Sequence, residues 1–414
     1  MLFIGDDWAE GHHDVVVQDE AGKTLARRRL PEGADGVARL HELVASRFGG
    51  DGEPDPAQVV VVIETDRGPW VKALAAAGYR VYPVNPRQAA RHKESIANSG
   101  KKDDFFDAGC LADMGRTRRH QMRELAADSD VAEALKIAAR AHQRLVWERT
   151  RHQLRMRSAL LEYFPAALEA YKDLGLAGPD ALELLQKAPD PESAAGLTVT
   201  QVTAALRRAR RRGDLAQRAR DIQAALRAEH LAQPPVIAEA YAASVQAGAA
   251  VIAALNEQVK IMEIRVSAFF RRHPDAGAYL SQPGIGDITG ARVLGEFGDA
   301  PGRYATAKAR KNYAGTSPLT IQSGKKKTVQ ARYIRNRHLI DALHAQALSA
   351  LTASPGARRY YDEMRGREIG HEDALRRVAS RLTGILHGCL KTGTSYDEST
   401  AWPANRNEAL QAAA

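Results

Sequence analysis

Two cysteines in 414 residues, Cys110 and Cys389, are too few for a disulfide framework, which suits a chain that works in a reducing cytosol. No unbroken apolar run reaches the ~18 residues that a membrane helix needs, so no membrane partner is expected. Residues 1–8 lack the cationic flank and apolar core of a signal peptide. A dinucleotide fingerprint is missing as well: Pro283-Gly284-Ile285-Gly286 is rich in glycine, but no strand–helix–strand unit surrounds it. What the chain does have is basic charge. Lys and Arg number 59 against 50 Asp and Glu, a formal net charge of +9, with a pI of about 9.5. Such a balance attracts phosphate in a salt-dependent way. On charge alone, a nucleic-acid partner and a merely basic surface both fit.

The length accommodates two or three domains. Residues 1–115 read as α/β. Apolar or β-branched runs at 2–5, 14–18 and 24–30 predict three strands, 37–47 a helix, 59–63 a strand buried on both faces, 68–77 a helix and 80–84 a strand stopped by Asn85-Pro86. Strands first and alternation afterwards predict a mixed sheet with helical cover. The middle, 116–275, reads as helical. Asp130 and Glu133 resemble a capping box that opens a helix running toward Phe164. Val245, Gly248, Ile252, Leu255, Val259, Met262, Val266 and Phe269 repeat at spacings of three and four, an a/d seam. An intermolecular coiled coil and an intramolecular helical hairpin would bury that seam equally well. Arg207, Arg208, Arg210, Arg211 and Arg212 form a cluster that either grips a phosphate backbone or is solvated helix charge. From 276 onward Gly and Pro return, and short helices separated by loops are expected. The tail from 397 reads as flexible.

Two constellations carry chemistry. Asp7 ends the first strand and Glu64 the central one, so neighbouring strand ends would bring both carboxylates together. Asp104 and Asp107 lie three apart and face one side of a helix. Converging carboxylates of this kind hold two Mg²⁺ ions roughly 4 Å apart in metal-assisted phosphodiester cleavage. Asp6 and Asp103 sit beside the preferred residues and compete with them. Lys101 and Lys102, just upstream, are candidates to touch nucleic acid. The second constellation is Ser323, followed by Gly324, Lys325, Lys326 and Lys327, with Arg332, Arg335 and Arg337 continuing the basic track. A serine hydroxyl needs a base, a metal or a positive field before it attacks; Gly324 allows close approach and the lysines suit a phosphate. Ser317 precedes a proline and suits a turn. Gly284 and Gly286 would bare N–H groups at a helix N-terminus, as in a helix-hairpin-helix element; a tight inter-helix turn fits the same residues.

The motifs Ile4-Gly5-Asp6-Asp7-Trp8, Ile63-Glu64-Thr65, Tyr82-Pro83-Val84-Asn85-Pro86 and Lys102-Asp103-Asp104-Phe105-Phe106-Asp107-Ala108 resemble those of the DEDD transposases of the insertion-sequence 110 group. The serine stretch resembles that group's C-terminal domain. The likeness covers about 1–115 and 276–395; the middle matches only in helical character. It implies an α/β plus all-α build: a RuvC-like, ribonuclease-H-type domain over 1–115, a helical or coiled-coil region over 116–275, a serine-containing transposase domain over 276–396, and a flexible tail over 397–414. The family pattern has an apolar residue at Asp6 and keeps the Asp104/Asp107 spacing ahead of Ala108, which implies Asp7, Glu64, Asp104 and Asp107 as Mg²⁺ ligands and Ser323 as the nucleophile. It further implies donor and target DNA, a structured noncoding RNA, a homodimer or tetramer, and a bacterial cytoplasmic enzyme that sits at the nucleoid when bound to DNA. Two rival readings are a metal-dependent nuclease or junction resolvase that uses water, and a non-catalytic nucleic-acid-binding protein.

Overall fold

A computed structural model describes residues 1–48, 55–96, 103–125, 128–324, 326–332 and 335–403. It divides into two compact units, Met1–Ala127 and Asp128–Ala414.

The first unit is a five-stranded sheet in the order β3-β2-β1-β4-β5. Its strands are β1 (Leu2–Trp8), β2 (His12–Gln18), β3 (Thr24–Pro31), β4 (Val59–Ile63) and β5 (Arg80–Pro83). β1 pairs antiparallel with β2 and parallel with β4, and β4 pairs parallel with β5. The hairpin-forming half needs only short turns, whereas the parallel half needs helical crossovers. Those crossover helices are α1 (Ala34–Phe48) and α2 (Pro69–Ala76); α3 (Pro86–Ile96) and α4 (Asp104–Arg118) follow the last strand. β4 is buried along its whole length because both sheet faces are covered. Val59, Val61 and Ile63 join Ile4, Val15, Leu40 and Trp70 on one face, while Val60 and Val62 meet Phe3, Leu111 and Met114 on the other. All five expected strands and the first two expected helices form, with ends shifted by up to three residues.

Among the described residues, the second unit is helical except for one hairpin. Two long helices, α5 (Asp130–Tyr163) and α11 (Pro235–Arg271), pack along each other. They run antiparallel: Ala132 and Leu135 share a core with Val266 and Phe270, while Leu160 and Tyr163 share another with Val245 and Ala249. Within this chain, the seam of α11 therefore closes on α5 as a hairpin. The cap of α5 is Ser129, whose hydroxyl accepts from the Ala132 N–H; the expected capping box lay one residue too late. α11 is also long and apolar enough to cross a membrane by length and composition, because an averaged window tolerates the Glu239 and Gln246 that break every unbroken run.

Five short helices build the core at one end of this hairpin: α6 (Pro165–Ala170), α7 (Pro179–Lys187), α8 (Pro191–Ala195), α9 (Val199–Arg208) and α10 (Leu215–Leu226). The other end is completed by α12 (Ala276–Leu280), α13 (Asp287–Phe297), α14 (Ala307–Ala314), α15 (Arg337–Ala353), α16 (Pro355–Gly366), α17 (His371–Thr392) and α18 (Glu398–Ala401). Between α14 and α15 stands an antiparallel hairpin of β6 (Leu319–Ser323) and β7 (Lys326–Gln330), where only loops were expected. The expectation of a flexible tail from 397 fails as far as Trp402. That ring packs on Gly356, receives the Arg381 guanidinium 4.6 Å from its centroid, and donates to the Tyr396 hydroxyl at 2.9 Å.

Candidate active site

The two acidic strand ends meet through register. Asp6 of β1 pairs with Ile63 of β4, so the next residues, Asp7 and Glu64, come side by side. Asp104 and Asp107 lie in the first turn of α4, where the helix dipole favours negative charge. What lays that turn against β1 is Gly5: a Cβ there would stand 1.8 Å from the Ala108 carbonyl oxygen and 2.5 Å from the Ala112 nitrogen. Only glycine permits this approach. Sequence reasoning passed over Gly5; a glycine in the interior of a buried strand was the available signal.

The carboxylates feel one another. Burial pushes Asp7 up, and the negative charges of Asp107, Glu64, Asp104 and Asp14 add to it, bringing it to about 6. Glu64 is also raised, by burial and then by Asp107, while Lys93 opposes the rise. Lys93 forms an ion pair with Asp107. Arg29 grips Asp14 with two bonds of 2.7 and 2.8 Å and lies 3.4 Å from Asp104. Lys93 and Arg29 were absent from the expected set and partly neutralise the cluster. Among the described residues, no group of three or more His, Cys, Asp or Glu is drawn tightly enough to hold a metal ion. The donor set still suits a hard divalent cation: it is all oxygen, and two of its members, Asp7 and Glu64, are raised by burial and by neighbouring negative charge that a cation would offset.

The competing acids have other partners. Asp103 caps α4, accepting from the Phe105 and Phe106 N–H groups. Asp6 is fully buried and accepts from His13 Nδ1 at 2.8 Å and Trp70 Nε1 at 2.7 Å. His13 donates its other nitrogen to Glu32 at 2.6 Å and stacks on Trp70 with centroids 3.7 Å apart. Burial pushes His13 down, but the bonds and charges of Asp6 and Glu32 outweigh it and leave the imidazole raised. Lys101 and Lys102 lie outside the described residues.

In the second unit, Ser323 is the last residue of β6, directly opposite Lys326. The turn that follows begins at Gly324, with φ +56°, a conformation glycine adopts without strain. Ser323, Lys326 and Lys327 are exposed; Lys325 lies outside the described residues. Ser317 serves the turn before the hairpin, its N–H reaching the Lys311 carbonyl at 3.4 Å. Arg332 donates to Asn312 at 3.3 Å, Arg335 packs over Gly315, and Arg337 opens α15. Gly284, at φ +74°, is packed so closely on α15 that a Cβ would stand 2.4 Å from the Gln346 carbonyl. Gly286 caps α13 without a side-chain bond. The arginine cluster divides in two. Arg208 and Arg211 pair with Glu183 and Asp180, while Arg207, Arg210 and Arg212 are exposed.

Comparison with known proteins bears on both units. A family model described as "Transposase", for the DEDD transposases of the IS110 group, matches residues 4–165. A second, described as "Transposase IS116/IS110/IS902 family", matches 278–362. The chain is 39% identical to the "Mini-circle putative transposase for IS117" of Streptomyces coelicolor over 97% of its own length and 96% of the relative's. It is 28% identical to the "Insertion element IS110 uncharacterized 43.6 kDa protein" of the same organism over 96% and 95%. It is 29% identical to the "Insertion element IS900 uncharacterized 42 kDa protein" of Mycobacterium paratuberculosis over 95% and 96%. These are insertion-element proteins matched from end to end. The chain belongs to the IS116/IS110/IS902 family of insertion-sequence transposases.

Proposed function

We propose that this transposase cuts and rejoins DNA by transesterification. The observation that carries the reading is Asp7, which burial first and then the negative charges of Asp107, Glu64 and Asp104 lift to about 6. The strand order β3-β2-β1-β4-β5 supports a RuvC-like, ribonuclease-H-type reading of the sheet. Asp7, Glu64, Asp104 and Asp107 would hold Mg²⁺, two ions per site. Bound there, the metal supplies Lewis acidity toward the scissile phosphate. In the chemical step the Ser323 hydroxyl gives up its proton and Oγ bonds to phosphorus. The bond from phosphorus to the departing strand's oxygen breaks, and that oxygen takes up a proton. The phosphoester is conserved, so the strands can be exchanged and resealed without ATP. Lys326 directly opposite Ser323, with Lys325 and Lys327, would offset transition-state charge. Lys101, Lys102, Gly284, Gly286, Arg332, Arg335 and Arg337 would hold nucleic-acid backbone. A structured noncoding RNA would guide donor and target DNA, and a homo-oligomer would assemble the acidic and serine parts.

The test follows labelled DNA incubated with protein, Mg²⁺ and RNA transcribed from the flanks of the gene, resolved on a denaturing protein gel. Label that migrates with the intact chain, and not with Ser323→Ala, supports the covalent mechanism. Free nicked DNA from both proteins means that water attacks and the serine is incidental.

A further inference from the structure

A cleft of about 750 Å³ opens at the strand ends of the first unit, within the range of about 300–1,000 Å³ usual for small-ligand sites. Trp8, Trp70 and His13 contribute aromatic rings to it, and Pro69 and Pro86 contribute apolar edges. Trp8 immediately follows Asp7 and is a large apolar residue left 48% exposed. Successive strand residues face opposite sides of a sheet. Trp8 therefore shares the side of Asp6, with Trp70 and His13, while Asp7 turns toward α4. Glu64 stands on the divide. It lines this cleft and also a smaller one of about 190 Å³ that contains Lys93 and Asp107. The ridge of strand ends thus has crowded carboxylates on one side and an aromatic cleft on the other.

We propose that the cleft takes one unstacked nucleobase of the DNA strand whose phosphate lies at the carboxylates. This rests on the proposed strand chemistry for its location. A nucleotide matches the ridge in shape, with a phosphate for one side and a flat ring for the other. Trp8 offers the ring an exposed face on which to stack, a sequence-tolerant contact available to every base. The polar lining then selects. Glu10, Glu32, Glu64 and Asp66 outnumber Arg67, the lone Arg or Lys among the described residues that line the cleft, so a phosphate is repelled. Glu32 gives His13 one oxygen and keeps the other. Carboxylates accept from N–H groups and offer nothing to a carbonyl, so four of them against the donors of Arg67 and Asn85 favour a base with an exocyclic amine, such as cytosine, over thymine. His13 is a positioning residue here, since its two bonds and its stacking fix Trp70 and Glu32 as walls.

The experiment uses Trp8 as its own reporter, read as the difference in emission between the full chain and its Trp8→Phe variant. Fluorescein-labelled dC10, dT10 and a decamer of abasic sites are titrated with Ca²⁺ in place of Mg²⁺, and anisotropy measures binding. Saturating dC10 is expected to quench the Trp8 emission, and the abasic decamer is expected to leave it unchanged. The Kd for dC10 should be about tenfold below that for the abasic strand and about tenfold below that for dT10. Trp8→Ala should erase the first difference and Glu32→Gln the second. Trp8 emission that stays constant while anisotropy reports saturation by dC10 overturns the proposal, as does equal affinity for dC10 and the abasic decamer. If Trp8→Ala does not fold, the Trp8→Phe comparison decides alone. A chain that links DNA to Ser323 with Trp8 unmoved loses the cleft and keeps the transesterification. A chain whose Trp8 responds but never links DNA loses the transesterification and keeps the cleft.

Discussion

Replacing Asp7 with asparagine should stabilise the metal-free protein while ending strand cleavage. The ordinary value for this carboxyl is 3.8, and in the fold it is pushed up to about 6. The folded protein therefore holds the Asp7 proton more tightly than the unfolded chain does, and stability falls as pH rises from about 4 to about 6. Above that window the ionised Asp7 is partly desolvated and sits among Asp107, Glu64 and Asp104 at a standing cost. A rise of roughly two pH units corresponds to ~3 kcal/mol in a dry site. Asp7 is only half-buried, so solvent screening reduces this to about 1–2 kcal/mol. Asparagine keeps the shape and removes the charge. Scanning calorimetry in EDTA at pH 7.5 should show the transition of the first unit moved upward in the variant, with the gap closing at about pH 4. Mg²⁺ should then raise the transition of the unaltered protein far more than that of the variant, since an ion that binds only the folded carboxylates stabilises by mass action. A variant that melts at or below the unaltered protein at pH 7.5 in EDTA would refute the claim that these four acids converge.

Other perturbations separate architecture from chemistry. Gly5→Ala should push α4 off β1, lowering stability by about 3 kcal/mol and cleavage by about a hundredfold through misplaced acids. Gly109→Ala on the same helix, where a Cβ meets nothing within 4 Å, should be close to neutral in melting and activity assays. His13→Asn should cost about 3 kcal/mol at pH 6. Because the imidazole is raised, the stability it gives is complete below the ordinary value of 6.5 and is lost as pH climbs through the folded one, so urea midpoints of variant and parent should draw together as the pH is raised above 6.5. Arg140→Ala should destabilise the second unit by about 3–5 kcal/mol, read by the same melts. It strands the buried Glu296, whose carboxylate takes bonds of 2.6 and 2.8 Å from Arg140 and 2.6 Å from Asn336.

The elements that were legible in the sequence are those whose pattern is local. Val59–Ile63 is an unbroken β-branched run because both of its faces are buried, and its burial fixes its ends and its neighbours. Asp7 and Glu64 could be placed together for the same reason. The hairpin carrying Ser323 could not: β6 is exposed at every residue, so no buried alternation marks it, and only Gly324 between two stretches containing β-branched residues hinted at a turn. The roles of Lys93 and Arg29 depend on contacts across long sequence separations and have no local signature, whereas Gly5 carried one in its place inside a buried strand. Asp6 and Asp103 were ambiguous in sequence because a buried acid and a capping acid look like any other; their hydrogen bonds distinguish them.

The paired helices α5 and α11 act as a strut. At ~1.5 Å per residue, the 34 residues of α5 span about 50 Å, and each end of the pair is anchored in its own core. A shortened chain that begins after α11 would lack Ala132, Leu135, Val266 and Phe270, so a portable serine module must carry both arms. The strut also acts as a ruler. One heptad inserted in each arm would keep the seam in phase and move the α6–α10 end outward by about 10 Å. Residues 166–277, which hold that end, fall outside both family matches. A change of length in this strut must come as whole heptads in both arms if the seam is to stay closed.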